Sequence, residues 1–140
     1  MKPKVHILGT GGSISGIGPH RLDYTLYPDS GKKLTVAQLL ERMPEAREIA
    51  ELSGEDLLQV GSPSIGPAEW LKILQRIHQT SAGIVITHGT ATLEETAYFL
   101  HLTVKSERPV VLTGAMRPPG AVGTDADLNL LGAIRLAASP

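Results

Sequence analysis

Cysteine is absent from the 140 residues, so disulfide bonds, thiolate catalysis and cysteine-ligated metal sites are all excluded. Aromatic residues make up only 4% of the chain, with a single Phe and a single Trp. The core must therefore be built from Leu, Ile, Val and Ala. Neither sign of charge dominates, because 13 basic and 14 acidic residues leave a formal net charge of −1. That balance gives no electrostatic basis for binding nucleic acid or an anionic membrane.

Long apolar runs are also missing from the sequence. No run approaches the roughly 20 residues that a membrane-spanning helix needs. The basic N-terminus, Met1–Lys4, is followed by a short apolar stretch that runs into glycines, which is not typical of a secretory signal. We therefore predict a cytoplasmic protein, with a processed periplasmic form as the alternative. A hydrophobic content of 41% suits one ordinary globular domain of this length.

Short apolar segments alternate with segments of helical periodicity. The apolar segments are continuous rather than alternating, which is typical of strands that are buried on both faces of a parallel sheet. We predict an α/β fold of three layers, a mostly parallel sheet with helices on both faces, of the flavodoxin or Rossmann type. Strands are predicted over 4–8, 57–60, 83–87 and 109–113, helices begin near Thr35, Pro67, Thr92 and Asp125, and a long loop covers 16–33.

Glycines and small hydroxyl residues follow every predicted strand. In an open α/β sheet, ligands bind beyond the carboxyl ends of the strands, so these turns would share one rim. Hydroxyls can act as nucleophiles, and exposed glycine N–H groups can hold an oxyanion. The same residues are common in such turns for steric and capping reasons alone. The turns in question are 10–13, 61–64, 88–92 and 113–118.

Two common kinds of site are not supported by the sequence. The glycines after the first strand form neither Gly-x-Gly-x-x-Gly nor a loop followed by lysine, so a nucleotide site is not indicated. The five histidines have no metal-ligand spacing.

The chain resembles the bacterial-type L-asparaginase/glutaminase family, and two stretches carry the resemblance. Residues 7–14, ILGTGGSI, resemble the first family signature, with Ser13 in place of the more usual Thr. Residues 86–100, ITHGTATLEETAYFL, resemble the second. Shorter matches lie at 60–62, 112–118 and 127–130, so the resemblance runs over essentially the whole chain.

The resemblance implies roles by position. It implies a threonyl-ester mechanism in which Thr10 is the nucleophile, Tyr24 helps to activate it, and Thr90 is the second essential threonine. The implied reaction needs no metal or organic cofactor. Ser62 would hold the substrate α-carboxylate, and backbone N–H groups near Thr90 and Ala91 would form the oxyanion hole. The substrate-binding residues implied by the resemblance are Gly61, Ser62, Gly89 and Ala91.

Two positions depart from the family pattern. The family signature has an aspartate at position 91, which binds the substrate α-ammonium, and this chain has Ala91. Position 63, polar in some members, is Pro63. Losing one partner of a buried charge-assisted contact typically costs about 2–5 kcal/mol. We therefore expect weakened or altered activity on L-asparagine, or on L-glutamine.

The resemblance also implies what lies outside these residues. Residues 1–140 match the N-terminal catalytic domain, while complete members continue into a C-terminal domain, supply a catalytic lysine and assemble as homo-oligomers. We expect the 140 residues alone to hydrolyse L-asparagine poorly. Three alternatives stay open: a catalytically inactive binding or assembly domain, a hydrolase of a related amide that lacks the α-ammonium, and the amide-hydrolysing subunit of a transfer-RNA-dependent amidotransferase.

Overall fold

The computed structural model describes residues 2–139, and four parallel strands form its centre. The strands are β1 (Lys4–Gly11), β2 (Glu51–Val60), β3 (Gly83–Thr87) and β4 (Val110–Thr113), and they pair in the order β2-β1-β3-β4. The helices are α1 (Val36–Glu41), α2 (Ala46–Ile49), α3 (Pro67–Gln79), α4 (Leu93–Thr103) and α5 (Ala126–Ala137). Short 3₁₀ helices cover Ser13–Ser15, Tyr27–Ser30 and Ser62–Ser64.

Helices cover both faces of the sheet, because successive strand residues point to opposite sides. On one face, Val5, Ile7 and Val85 pack against α1, α2 and α5. On the other face, Leu8 and Ile86 pack against apolar residues of α3 and α4. Continuously apolar strands are what a sheet covered on both sides requires. The predicted three-layer α/β fold is therefore confirmed.

The strand order reverses between β1 and β3. The chain passes from β1 to β2 on one side of β1 and then returns to place β3 on its other side. In open α/β sheets the crevice at such a reversal, outside the carboxyl ends of the strands, is where ligands bind. The topology therefore directs attention to the segments that follow β1 and β3.

The first strand is longer than the sequence predicts. We expected a strand over 4–8 followed by a turn, whereas β1 continues through Gly9 and Thr10 to Gly11. Its pairing with β2 changes register near this end, with Gly9 opposite Asp56 and Gly11 opposite Val60. This irregularity keeps the last residues of β1 within the sheet, although their glycines are typical of a turn.

Other element boundaries also differ from the prediction. Strand β2 begins at Glu51, not near 57, and the four-residue α2 had no sequence signal. Asp125 precedes α5 as expected. Its carboxylate, however, accepts the backbone N–H groups of Met116 and Arg117, so it fixes the preceding loop instead of capping the helix.

The long segment over 16–33 is closed at its ends. Gly16 forms a bridge to Lys33, and the backbone N–H of Ile17 donates to the carbonyl of Lys32. Within it, the Asp23 carboxylate accepts the N–H groups of Thr25 and Leu26. The segment therefore folds back on itself and brings its 3₁₀ turn, Tyr27–Ser30, toward the end of β1.

Among residues 2–139, no helix combines the length and the apolar character that crossing a membrane requires.

A glycine pair tests how tightly α5 is held against the sheet. A Cβ on Gly83 would lie 2.2 Å from the carbonyl oxygen of Ala137, whereas a Cβ on Gly132 would meet nothing within 4 Å. We expect Gly83→Ala to lower the free energy of unfolding by about 1–3 kcal/mol through overpacking. The matched control Gly132→Ala should raise it by about 0.5–1 kcal/mol, because alanine favours the helix. Urea denaturation followed by circular dichroism measures both, and equal stability of the two variants would contradict this packing.

Candidate active site

A pocket of about 370 Å³ opens at the carboxyl ends of β1, β2 and β3. This volume lies within the range of small-molecule sites. Its wall comes from four segments of the chain, one after each of these three strands and one from the segment 16–33. The lining residues are Gly12, Ser13, Gly16, Tyr27, Pro28, Lys32, Lys33, Gly61, Ser62, Pro63, Gly89, Thr90 and Ala91.

Two hydroxyl groups meet on the wall of this pocket. The Oγ of Ser13 lies 2.6 Å from the Oη of Tyr27. Ser13 opens the 3₁₀ turn that follows β1, and Tyr27 opens the turn that the folded segment 16–33 brings over it. A serine hydroxyl in a short hydrogen bond to a phenol, facing a ligand-sized pocket, is placed as a nucleophile with a neighbouring proton acceptor or donor.

The pocket floor is formed by a close backbone contact. Gly12 has a φ of +80°, and a Cβ there would lie 2.3 Å from the Cα of Gly89. Only glycine permits both this conformation and this separation. On the far side of Gly89, the Oγ of Ser62 lies against the same backbone, where a Cβ on Gly89 would be 2.7 Å away. The turns after β1, β2 and β3 therefore touch one another.

Five residues expected at the site do line the pocket: Gly61, Ser62, Gly89, Thr90 and Ala91. Ser62 is buried, and its carbonyl accepts the hydroxyl proton of Thr92 at 2.8 Å. This bond ties the turn after β2 to the start of α4. Thr90 and Ala91 are exposed on the pocket wall. Their roles in binding or catalysis stay predictions.

Thr10, the nucleophile that the resemblance implies, does not reach the pocket. It lies inside β1, is 0% exposed, and donates its hydroxyl proton to the carbonyl of Thr87 at 2.8 Å. This bond joins β1 to β3 directly below the pocket. A hydroxyl that is buried and already donating has no path to a substrate. Thr10 is therefore not at the pocket as expected, because β1 continues beyond the predicted turn, and Ser13 lines the pocket instead.

Tyr24 also lies away from the pocket. Its Oη donates to the carbonyl of Val122 at 3.2 Å, and the guanidinium of Arg117 lies 5.5 Å from its ring centroid. These contacts place Tyr24 against the loop that precedes α5. Tyr27 is the tyrosine that reaches the pocket, and sequence reasoning missed it. The available signal was the Tyr-Pro pair, since proline favours the first turn of a short helix.

A buried chain of hydrogen bonds supports the pocket from behind. The indole Nε1 of Trp70 donates to the Oγ1 of Thr96 at 2.9 Å, and Thr96 Oγ1 lies 2.9 Å from the Nε2 of His88. The Nδ1 of His88 lies 2.8 Å from the carbonyl of Gly89. His88 and Thr96 are both fully buried. These hydrogen bonds thus connect α3 and α4 with the backbone of the pocket residue Gly89.

The direction of these bonds fixes the tautomer of His88. An indole N–H can only donate, so Thr96 Oγ1 accepts there and has one proton to give. The carbonyl of Gly89 can only accept, so Nδ1 of His88 carries a proton and donates it there. Because burial favours the neutral ring, Nε2 has no proton and accepts that of Thr96 Oγ1. Burial lowers the pKa of His88, against smaller raising effects from that hydrogen bond and from the charge of Glu94.

The charged side chains that line the pocket are basic. Lys32 and Lys33 lie on its wall, and among the described side chains, which do not include that of Asp29, no acidic one joins them there. Ala91 stands on the same wall with only a methyl group. Among the described residues, there is also no group of three or more His, Asp or Glu side chains arranged to hold a metal ion.

Comparison with known proteins adds a family context to this geometry. A model of the asparaginase N-terminal domain matches residues 4–140. L-asparaginase 2 of Bacillus subtilis is 45% identical over 143 residues, which cover 99% of this chain and 38% of that protein. A glutaminase-asparaginase of Acinetobacter glutaminasificans is 40% identical, with 99% of this chain and 43% of that protein covered.

One solved structure is similar throughout the chain. The crystal structure of a probable cytoplasmic L-asparaginase from Campylobacter jejuni superposes with a TM-score of 0.88 at 39% identity, covering 99% of this chain and 42% of that one. A probable periplasmic L-asparaginase of Haemophilus influenzae is 43% identical and covers 97% of this chain. The chain therefore spans well under half the length of these relatives.

The contribution of the buried hydrogen bonds behind the pocket to stability can be tested at Thr96. We expect Thr96→Val, which keeps the shape but removes the hydroxyl, to lower the free energy of unfolding by about 1–3 kcal/mol, because Trp70 Nε1 and His88 Nε2 lose their partner. The control is Thr103→Val on the same helix, whose hydroxyl donates only to the carbonyl of Phe99. That control should change stability by no more than about 0.5 kcal/mol. Chemical denaturation compares the two, and similar losses would contradict the role given to Thr96.

The neutral state of His88 predicts a pH dependence of stability. Because its pKa is lowered in the folded protein, the unfolded chain takes up a proton first as pH falls. The contribution is thus complete above the ordinary histidine pKa of about 6.5 and is lost as pH drops toward the lower folded value. The slope approaches about 1.4 kcal/mol per pH unit for one proton.

Variants isolate this contribution. His88→Gln should flatten the fall in unfolding free energy between about pH 6.5 and 5.5, whereas replacing the exposed His78 by Gln should leave most of the fall in place. Urea titrations at a series of pH values give the slopes. A slope that is unchanged by His88→Gln would show that His88 is not the group responsible.

Proposed function

The chain belongs to the asparaginase family, and on that premise we propose that it hydrolyses the side-chain amide of a small amino acid or related acid, with L-asparagine as the family substrate and Ser13 as the nucleophile. The observation that carries this proposal is the 2.6 Å contact between Ser13 Oγ and Tyr27 Oη on the wall of the pocket that Thr90 also lines. L-glutamine is the second substrate, as the name of the Acinetobacter relative suggests for that protein.

The proposed reaction proceeds in two steps. The Oγ of Ser13 bonds to the amide carbon as its proton passes toward Tyr27, and the carbonyl oxygen becomes an oxyanion. Backbone N–H groups of Thr90 and Ala91 are proposed to hold that charge. The C–N bond then breaks, ammonia leaves with a proton, and a seryl ester remains. Water attacks the ester carbon, releases the acid and restores the hydroxyl of Ser13.

Ser13 takes the role that the resemblance gave to Thr10, and Tyr27 takes that of Tyr24. The support is positional, because Thr10 is fully buried and donates within the sheet, while Ser13 faces the ligand volume. A group that moves the proton onward from Tyr27 is proposed to lie in the part of the family fold beyond residue 140, where the resemblance places a lysine, a C-terminal domain and homo-oligomer contacts. We propose a cytoplasmic location, in keeping with the name of the Campylobacter relative, a probable cytoplasmic L-asparaginase.

A binding domain without chemistry is the second candidate. The observation that favours it is Ala91, which gives the pocket wall a methyl group at the position where the family signature has a carboxylate. On the first proposal, the same residue makes the hydrolysis of L-asparagine slow. The two candidates differ in whether the hydroxyl on the pocket wall reacts.

Covalent labelling separates these candidates and identifies the nucleophile. We expect an electrophilic analogue of the amide side chain to form a covalent adduct that peptide mass spectrometry locates on Ser13. Ser13→Ala should abolish the adduct, and Ser13→Thr should restore it, because a hydroxyl returns to the same place. Thr10→Val should still be labelled at Ser13, while losing about 1 kcal/mol of stability with the hydrogen bond to Thr87.

Each other outcome has a definite meaning. An adduct on Thr10 would contradict the assignment of Ser13. No adduct in the native chain, together with normal folding and no ammonia release, would favour the binding domain.

A further inference from the structure

The charge of the pocket wall suggests which substrates it accepts. Lys32 and Lys33 both line the pocket, and their backbone is fixed there by the bridge to Gly16 and the bond to Ile17. Two lysine residues at one pocket give it a positive potential, which attracts a carboxylate and repels a second cation. An incoming α-amino acid carries both an anionic and a cationic group, so these lysines act on its two ends in opposite directions.

The other described side chains that line the pocket offer no counter-charge for a cation. Ala91 is exposed on the wall next to Thr90, and its methyl group can neither pair with an ammonium nor accept its protons. Pro63, on the turn after β2, has no side-chain acceptor either. The polar side chains that remain there are hydroxyls, of which Ser13 is already bonded to Tyr27. An ammonium group needs several acceptors or a counter-charge when it leaves water.

Resting on the proposed amide hydrolysis, we propose that this pocket selects amides that carry a carboxylate but no α-ammonium, namely the monoamides of short dicarboxylic acids, over α-amino acid amides. Succinamate is the simplest such compound with the carbon skeleton of asparagine. In this proposal Ser62 holds its carboxylate, as the resemblance implies, and the two lysines attract that charge to the pocket. Its amide carbon lies at Ser13, and a CH₂ group replaces the cation that asparagine would present to Ala91.

Binding of the two corresponding products tests this selectivity without depending on turnover. Succinate and L-aspartate differ only in the α-ammonium, and titration by NMR or calorimetry measures both. We expect succinate to bind the native chain on the order of tenfold more tightly than L-aspartate. Ala91→Asp should reverse the preference, because the new carboxylate pairs with the ammonium and repels succinate. The control Ala91→Asn, of the same shape but uncharged, should not reverse it.

The lysines can be tested in the same titrations. Lys32→Gln and Lys33→Gln should each weaken succinate binding several-fold, and raising the salt concentration should have less effect on these variants than on the native chain. Lys105→Gln, an exposed lysine outside the pocket, should bind succinate as the native chain does. Circular dichroism confirms that each variant is folded.

Three results would overturn the proposal: L-aspartate binding as tightly as succinate or more tightly, failure of both ligands to bind the folded native chain, and faster ammonia release from L-asparagine than from succinamate. Ammonia release from succinamate and L-asparagine then distinguishes selectivity from hydrolysis. Preference for succinate with no ammonia release and no adduct on Ser13 would leave the selectivity standing and contradict the proposed hydrolysis. Faster ammonia release from L-asparagine than from succinamate would support the proposed hydrolysis and contradict the selectivity.

Discussion

The contact between the backbone of Gly12 and that of Gly89 determines the geometry of the whole site. It joins the turns after β1 and β3 at the point where the strand order reverses, and it leaves no room for a side chain at Gly12. Directly below it, the hydroxyl of Thr10 donates to the carbonyl of Thr87. Behind it, His88 holds the carbonyl of Gly89. With the turns fixed in this way, Ser13, Ser62 and Thr90 face one volume without further adjustment.

The row of buried hydrogen bonds that ends at His88 also gives the few aromatic residues of the sequence a structural role. The single Trp of the sequence stacks on Phe99, with 5.2 Å between ring centroids, and donates to Thr96. Thr96 in turn bonds Nε2 of His88, while the carbonyl of Gly89 requires the proton of the ring on Nδ1. A buried polar chain of this kind is stable only if every member has a partner. As a consequence, the orientation of the Gly89 peptide group at the pocket is set by Trp70, Thr96 and His88, which do not line the pocket themselves.

The fold could be predicted from the sequence because it depends on hydrophobic patterns that are visible within short segments. Continuous apolar strands between amphipathic helices specify a covered parallel sheet whatever the exact boundaries are. Strand β3, for example, begins and ends at the predicted residues, 83–87. The turns that contribute Ser62 and Thr90 were also predictable, since a turn at the carboxyl end of a parallel strand lies on the ligand side of the sheet.

The nucleophile and its partner could not be read in the same way. Gly9, Thr10 and Gly11 are turn residues by composition, but β2 and β3 both pair with this part of the chain and extend β1 through it. Pairing with distant strands leaves no local signal. Whether Tyr24 or Tyr27 enters the pocket depends on how the segment 16–33 closes on itself through Gly16 and Lys33. An irregular segment has no period from which that closure could be deduced.

The site separates the scaffold for chemistry from the groups that recognise a ligand. Ser13 is positioned by backbone contacts of Gly12 that any side chain would disrupt, so its place is tightly constrained. Ala91 and the two lysines are instead on the accessible wall, and none of the buried hydrogen bonds that fix the turns passes through their side chains. A change of charge at position 91 can therefore alter which charged group of a ligand the pocket binds, without moving the hydroxyl of Ser13. In the proposed reaction, attack and recognition therefore depend on different segments, because Ser13 follows β1, Ala91 follows β3, and the lysines lie in the segment 16–33.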